Sequence, residues 1–464
     1  MLAGSRIPMI PVDDFPIPPY RDPDVIRAWE WFISLLPLKK WQARKASIEE
    51  RITVNFKPTP PFSEPFSNGT KFSVKEDQIG WYLYLLETLI KEPHKYEFVQ
   101  GSRVIPIFKR LGMDLPLLKE IKGVALKVKK LINKRPSEAD AILFELLTAL
   151  LWARNGWRVD FIEEDKNAKT PDFVARKGNE EWYVECKRQS KTSDYAEKER
   201  LKWQAMISHI NKDLIEQNLL LNTVFHVELS SLPDTFLKDT FASKLPFIVQ
   251  PGTVVSNEYV DIDVSFIDIP LIKQHLRRYF VKYPSPQMAE LIGNKPIDNL
   301  GFASGMKADF IRVGSGPGNN LYVRDIDQAY GAFWRCDARE AILAKARDIK
   351  MQLVSALEQF QPEQNVVIHI GIETYEGPIV EQERLLKITD TLDRIELNGK
   401  KLKWAYCHFF QAYSHASEIW TFDETVNMIS SNPPSGLPPL VSKFLVIPED
   451  DSIDNLAHWE RPLP

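Results

Sequence analysis

The sequence predicts an α/β protein with more than one domain. Its 464 residues exceed what one ordinary hydrophobic core organises. A composition of 44% hydrophobic and 26% charged residues is typical of a globular protein. Helical and strand periodicities alternate between residues 136 and 222 and again between 329 and 430. We therefore expect a helical N-terminal region over 1–135, an α/β core over 136–270 and a second α/β region over 271–464.

Charge and cysteine content narrow the class of protein. A formal net charge of -4 excludes a protein that coats nucleic acid through its overall charge, so any such contact must come from local basic patches. The three cysteines, Cys186, Cys336 and Cys407, are odd in number and far apart, which favours a reducing compartment over a disulfide framework. No stretch has the roughly 20 apolar residues of a membrane helix. We expect a cytoplasmic protein.

The N-terminal region begins with a proline-rich stretch over 1–23, which predicts an irregular arm. Helical periodicity follows from Asp24 to about Arg135, with a tryptophan-rich amphipathic part at 29–41 and an apolar run at 81–90. These signals predict a helical domain or lid.

The central region has a different order of elements. Pro136 and Ser137 suit a first helical turn, and the apolar run after them predicts a helix that Asn155-Gly156 ends. Further along, β-branched and aromatic residues alternate with turn signals. The predicted strands are 157–162, 172–176 and 181–188, followed by a helix over 193–217.

The remaining chain contains further elements of both types. Residues 259–266 alternate between apolar and polar positions, which predicts a half-buried strand that ends before Pro270. The proline-rich tail after residue 430 predicts irregular chain. Other predicted elements are strands at 224–229, 366–372 and 402–410 and helices at 337–360 and 380–395.

Glu145 is the first candidate for chemistry. It lies in Ala-Ile-Leu-Phe-Glu-Leu-Leu-Thr-Ala-Leu-Leu-Trp, where apolar residues occupy nearly every side of the helix. A carboxylate carried inward by such a helix needs a cation or hydrogen-bond donors to replace lost hydration. The alternatives are an exposed stripe of the helix or a structural ion pair.

Two further acidic groups and a lysine lie in the predicted hairpin. Asp172 stands at the start of a strand in Thr-Pro-Asp-Phe-Val, and Glu185 and Lys187 lie in Val-Glu-Cys-Lys-Arg. Because side chains alternate in a strand, Glu185 and Lys187 share one face. Taken alone, this pair is as expected for an ion pair on a solvated face.

The order of these parts resembles the PD-(D/E)xK superfamily of restriction-endonuclease-like nucleases. The resemblance covers about residues 136–230 and rests on Pro171-Asp172, Glu185-x-Lys187 and the preceding helix with Glu145. It implies a restriction-endonuclease-like αβββαβ core. It also implies Mg²⁺ or Mn²⁺, hard cations that prefer oxygen ligands.

The resemblance assigns a role to each matched residue. Asp172 and Glu185 are implied as metal ligands, with the backbone carbonyl of Cys186 as a third. Lys187 is implied to orient or deprotonate the attacking water, and Glu145 to hold a water bound to the metal.

Basic residues near the motif are candidates for contacts with phosphates. The segment 119–135 carries seven of them with one acid, and a solvated helix face is the alternative interpretation. On the helix after the motif we favour Lys198, with Gln189 as its rival. The candidate nucleic-acid-binding residues are Lys127, Lys129, Lys130, Lys134, Arg135 and Lys198.

The sequence therefore predicts a metal-dependent nuclease that hydrolyses DNA phosphodiester bonds, with a role in genome defence or restriction. An RNA-directed nuclease is one alternative, and a non-catalytic nucleic-acid-binding or assembly subunit is another. Cutting both strands of a duplex would require two sites, which favours a homodimer. Glu373 and Glu376 follow a predicted strand, but the sequence suggests no partner for them.

Overall fold

The computed structural model defines the fold over most of the chain. Lys134 and Arg135, two of the predicted nucleic-acid-binding residues, lie outside the described residues. Among the residues described, no helix is both long and apolar enough to cross a membrane. The described residues are 9–11, 20–55, 75–133, 139–163, 170–189, 193–295, 301–314, 320–346, 349–361, 364–373, 375–394, 401–413, 418–430, 436–448 and 456–460.

The N-terminal region is helical. Asp22 caps the first helix by accepting hydrogen bonds from the backbone N–H groups of Asp24 and Val25 at 2.9 and 3.2 Å. Pro23 suits the first turn because the missing N–H would have no partner inside the helix. The helices are α1 Pro23–Ser34, α2 Leu38–Asn55, α3 Gln78–Lys91, α4 Phe98–Met113, α5 Leu115–Glu120 and α6 Val124–Asn133.

The central helix and hairpin have the predicted order. Helix α7, Ala139–Arg154, ends before Gly156, whose φ of +78° is a left-handed conformation that favours glycine. Antiparallel pairing then places Phe161 opposite Phe173 and Phe173 opposite Val184. The three strands are β2 Arg158–Phe161, β3 Phe173–Lys177 and β4 Glu180–Gln189.

We call the sheet that contains this hairpin the first sheet. Its strand order is β13-β12-β11-β4-β3-β2, with β11 parallel to both β4 and β12 and with β12 antiparallel to β13. The register places Glu185 beside Ile368 and Lys187 beside Ile370. The added strands are β11 Asn365–Glu373, β12 Lys401–Tyr413 and β13 Thr421–Ser430.

The second sheet is formed mainly by the chain between β4 and β11. Its order is β1-β9-β10-β5-β7-β6, with β8 also paired to β10. The long antiparallel pair of β9 and β10 forms its centre. The strands are β1 Met9–Ile10, β5 Leu219–Phe225, β6 Gly252–Ser256, β7 Val260–Phe266, β8 Val281–Tyr283, β9 Gly301–Val313 and β10 Leu321–Cys336.

The remaining helices pack on both sheets. The predicted helix over 193–217 is two helices, because Ile210 leaves helical geometry at φ −127° and is fully buried. The predicted helix over 337–360 is also divided. These helices are α8 Asp194–Ser208, α9 Asn211–Glu216, α10 Phe236–Phe241, α11 Ile269–Leu276, α12 Pro286–Gly293, α13 Arg339–Lys345, α14 Lys350–Leu357 and α15 Pro378–Arg394.

The α/β class is confirmed, but the sheets do not follow the expected division at residue 270. The strand predicted at 224–229 is β5, at 219–225, and it belongs to the second sheet. Strand β11 lies beside β4 instead. The physical reason is that β11 is apolar and buried along most of its length, which suits a central strand of a sheet covered by helices on both faces, whereas β5 exposes Asn222.

Helices cover both faces of the first sheet around β4. Val184 and Cys186 pack in one core with α7, while Tyr183 on the other face packs against the core that contains Leu353 of α14. Beyond β13, the described parts of the tail contain neither helix nor strand, in agreement with the irregular chain expected there. Strand β4 is thus held rigidly between two layers of helices.

Candidate active site

Strand β4 places Glu185 and Lys187 side by side on one face. The Lys187 Nζ lies 2.6 Å from Glu185 Oε1. Glu185 is only 2% exposed, and its Oε2 is buried with no hydrogen-bond partner among the described residues. Burial raises the pKa of Glu185 to about 8, the nearby Asp172 carboxylate adds to the increase, and Lys187 opposes it. The ion pair with Lys187 therefore only partly offsets the cost of ionising the buried Glu185 carboxyl group.

Backbone hydrogen bonds hold Asp172 beside β4, just before β3 begins. Its N–H donates to the Val184 carbonyl at 3.1 Å, and its carbonyl accepts from the Ile162 N–H at 3.0 Å. Its side-chain Oδ2 accepts from the Cys186 N–H at 2.8 Å. The Asp172 carboxylate consequently lies at the start of β3, next to the backbone of the Glu-x-Lys segment of β4.

Glu145 reaches the same place from α7. Its carboxylate forms an ion pair with Lys127 of α6, and the Lys127 Nζ also lies 3.8 Å from Asp172 Oδ1. The side chain of Glu145 is 14% exposed, so it is neither on an exposed stripe nor fully enclosed. An acidic group in an apolar helix thus has a cationic partner, as its burial requires.

Lys127 is an unexpected member of this cluster. Burial acts to lower the pKa of Lys127, but the carboxylates of Glu145 and Asp172 outweigh it and raise the pKa. Its Nζ also lies 5.4 Å from the centre of the Phe161 ring. We predicted Lys127 as a phosphate contact, and the structure places it between two of the predicted metal-site carboxylates.

The predicted catalytic residues therefore converge from three elements. The carboxylates of Asp172 and Glu145 lie close enough to Glu185 that both raise its pKa. The amide of Cys186 faces Asp172, and burial raises the pKa of its thiol well above the usual range. Among the described residues, no set of three or more His, Cys, Asp or Glu side chains is arranged to hold a metal ion.

The other predicted phosphate contacts are distributed over the surface. Lys129 on α6 and Lys198 on α8 are exposed, and Lys130 is half-buried. Gln189, at the end of β4, is 9% exposed, and its Nε2 is buried without a hydrogen-bond partner within the described ranges. Lys129 and Lys198 are thus available to solvent, whereas Gln189 points into the protein.

Sequence reasoning missed a second buried charged group on the opposite face of β4. Arg188 donates to Glu373 Oε1 at 2.5 Å, and Arg103 of α4 donates to the same oxygen at 2.6 Å. Arg103 also pairs with Asp140 of α7, and the Tyr375 hydroxyl donates to Glu373 Oε2 at 2.6 Å. These charged and polar side chains line a small pocket together with the rings of Phe144 and Phe410.

This buried group ties the N-terminal helices to the sheet beside the candidate site. Glu373, which had no evident partner in the sequence, pairs with residues 185 and 270 positions away. The only sequence signal was an acidic residue at the end of an apolar strand followed by Tyr375. We refer to Arg103, Asp140, Arg188, Glu373 and Tyr375 as the arginine cluster.

Comparisons of the chain with protein-family models, with curated proteins and with solved structures found no match. The site itself is therefore the basis for a function, through the charged groups that converge there, their burial and the buried Glu185 Oε2, which has no hydrogen-bond partner among the described residues.

Proposed function

We propose that this chain is a metal-dependent nuclease that hydrolyses DNA phosphodiester bonds at the site formed by Glu145, Asp172, Glu185 and Lys187. The observation that carries the proposal is the buried Oε2 of Glu185, which has no hydrogen-bond partner among the described residues, beside a second carboxylate and a lysine. Burial of such an oxygen costs free energy unless a ligand compensates it. Perturbed acids of this kind cluster at functional sites.

The arrangement of elements supports a restriction-endonuclease-like core. Helix α7 is followed by the antiparallel strands β2, β3 and β4 and then by α8. Strand β11, parallel to β4, would complete the αβββαβ order after the second sheet, which we interpret as an insertion. The proposed core is therefore discontinuous in sequence.

The oxygen donors at the site suit a hard divalent cation in their chemistry, although these described residues are not arranged around a metal position in this structure. Asp172 and Glu185 would hold Mg²⁺ or Mn²⁺, with the Cys186 carbonyl as a third ligand and Glu145 acting through a bound water. When bound, the cation lowers the pKa of the attacking water and stabilises charge on the departing oxygen. The fit requires the Lys127 ammonium to leave the space between Glu145 and Asp172.

The residues of the chain supply the remaining steps. Lys187, with a side chain 21% exposed, can donate to the attacking water or to the phosphate while Glu185 orients it. Asp172 is held by the Cys186 amide, so its carboxylate needs little reorganisation. Exposed Lys129 and Lys198 would contact flanking phosphates.

DNA is the proposed substrate, and a role in restriction or genome defence goes with it. The same chemistry acts on RNA, so an RNA-directed nuclease is the second candidate. A non-catalytic nucleic-acid-binding subunit is the candidate from a different class. It is disfavoured because a scaffold does not require a buried, incompletely compensated carboxylate at this position.

The first test is a cleavage assay. Wild-type protein is incubated with plasmid DNA, linear DNA and RNA in Mg²⁺ or Mn²⁺. We expect cleavage of DNA, with competition between substrates showing the preference. Asp172→Asn and Lys187→Met are expected to lose about a hundredfold or more in rate, because each removes a charge worth several kcal/mol in the transition state.

Matched controls come from the second sheet. Asp263→Asn and Lys307→Met change exposed residues of β7 and β9 in the same way and should leave the rate unchanged. Full activity of both Asp172→Asn and Lys187→Met would show that the assigned site is wrong. Metal-independent binding of nucleic acid without turnover would instead support the non-catalytic alternative.

A further inference from the structure

Lys127 lies where a cation is needed. Its ammonium pairs with Glu145 and is 3.8 Å from Asp172, while its side chain is only 12% exposed. Both carboxylates belong to the proposed metal site. Lys127 therefore places one positive charge from α6 within ion-pair distance of both carboxylates.

We propose that Lys127 is a resident cation of the active site, which a divalent metal displaces when it binds. The inference rests on the proposed function. A lysine ammonium and Mg²⁺ are both strongly hydrated cations that take carboxylate oxygens as partners. Two cations within a few ångströms repel each other in a partly buried site, so they compete for Glu145 and Asp172.

Lys127 reaches the site from a different part of the fold than the other site residues. Helix α6 belongs to the N-terminal helices, whereas Asp172, Glu185 and Lys187 belong to the first sheet. Val128 and Leu131 of α6 are buried, which anchors the helix while the flexible Lys127 side chain reaches the site. By competing for Glu145 and Asp172, Lys127 lowers the affinity of the site for a metal without being a metal ligand itself.

A calorimetric titration with Mn²⁺ tests this inference. The proteins are the wild type, Lys127→Met, Lys127→Arg, Lys307→Met and Asp172→Asn. Lys127→Met removes the competing charge and should bind Mn²⁺ about tenfold more tightly, since charge-assisted contacts of this kind must otherwise be broken. Lys127→Arg retains a cation and Lys307→Met changes an exposed lysine of the second sheet, so both should bind like the wild type.

The outcomes separate this inference from the proposed function. Unchanged or weaker Mn²⁺ binding by Lys127→Met, with normal binding by the wild type, overturns the resident-cation role and leaves the nuclease proposal intact. Absence of Mn²⁺ binding in every protein overturns the metal site itself. Wild-type binding that Asp172→Asn does not weaken also contradicts the site.

A second measurement uses the unaltered protein, in case Lys127→Met does not fold. Lysines are labelled with an amine-reactive reagent with and without Mn²⁺, and the labelled peptides are quantified by mass spectrometry. Displacement should raise the labelling of Lys127 several-fold while the exposed Lys307 stays constant. Equal labelling of Lys127 in both conditions would overturn the inference.

Discussion

The two sheets of this protein differ in how deeply they bury acidic residues. In the first sheet, Glu185, Glu373 and Glu424 are all at most 8% exposed and face other polar groups inside the protein. In the second sheet, the acidic residues of the strands are half-buried or exposed, as in the pair of Asp309 with Arg324, whose side chains are 64% and 54% exposed. The buried charged residue on its described strands is a lysine, Lys282. Both sheets have apolar cores, so the difference does not arise from a lack of hydrophobic residues.

This difference supports the placement of the proposed site in the first sheet. Exposed ion pairs contribute little to stability, whereas buried charges are costly and must be satisfied. Some charged groups of the first sheet are fully satisfied and hold the fold together. Glu185 is not, and its incompletely compensated charge marks the candidate site.

The largest predicted change in stability comes from the arginine cluster. Glu373→Ala removes the acceptor shared by Arg103 and Arg188 and leaves the Arg188 charge buried. We expect a loss of about 4 kcal/mol in the free energy of unfolding, measured by urea denaturation. A loss below about 1 kcal/mol would mean that the buried charges are not energetically coupled.

The next largest change is expected at Glu424. Its carboxylate accepts from the N–H groups of Leu445 and Val446 at 2.8 Å each and from His408 Nδ1 at 3.1 Å. Glu424→Gln turns an amide donor toward these donors and should cost about 2 kcal/mol. Limited proteolysis after β13 should accelerate as well, and an unchanged digestion pattern would contradict this anchoring role.

A pH dependence is expected from Glu185. Its pKa in the folded protein, about 8, lies above the ordinary value of 4.5, so the folded state binds the proton more tightly than the unfolded state. Its contribution to stability is therefore fully present below pH 4.5 and is lost as the pH rises toward 8.

Thermal unfolding of the wild type and Glu185→Gln across this range tests the assignment. The wild type should lose at least about 1 kcal/mol relative to the variant between pH 5 and pH 8, because glutamine does not titrate there. Parallel stability profiles for the two proteins would show that the environment of Glu185 differs from that described.

The smallest effect is expected in the second sheet. Asp309→Ala breaks an exposed pair with Arg324 whose two charged atoms are 2.9 Å apart. We expect a change of about 0.5 kcal/mol or less, further reduced by salt. A loss similar to that of Glu373→Ala would remove the distinction between the two sheets.

Much of the first sheet could be predicted from local patterns. Helix α7 and strands β2, β3, β4 and β11 all lie within a few residues of their predicted bounds. Each has a strong signal, such as the turn at Asn155-Gly156 or the continuous apolar run of β11. The Glu-x-Lys alternation also placed Glu185 and Lys187 on a common face, as observed.

The long-range features could not be predicted in this way. The β9 and β10 pair was missed because glycine and charged residues interrupt the strand pattern in both segments. The pairing of Arg188 with Glu373 depends on β11 lying next to β4, which local sequence does not encode. The inward position of Lys127 could have been inferred from the sequence, because it is three residues after Val124 and four before Leu131, both on the buried face of α6.

A crystal structure of the protein with Mn²⁺, with anomalous scattering used to locate the ion, tests the proposed metal site most directly. We expect an anomalous peak within coordination distance of the carboxylates of Asp172 and Glu185, with the Lys127 ammonium moved away from Asp172. A protein saturated with Mn²⁺ that shows no peak there, or a peak only elsewhere, would contradict the proposed metal-dependent nuclease site.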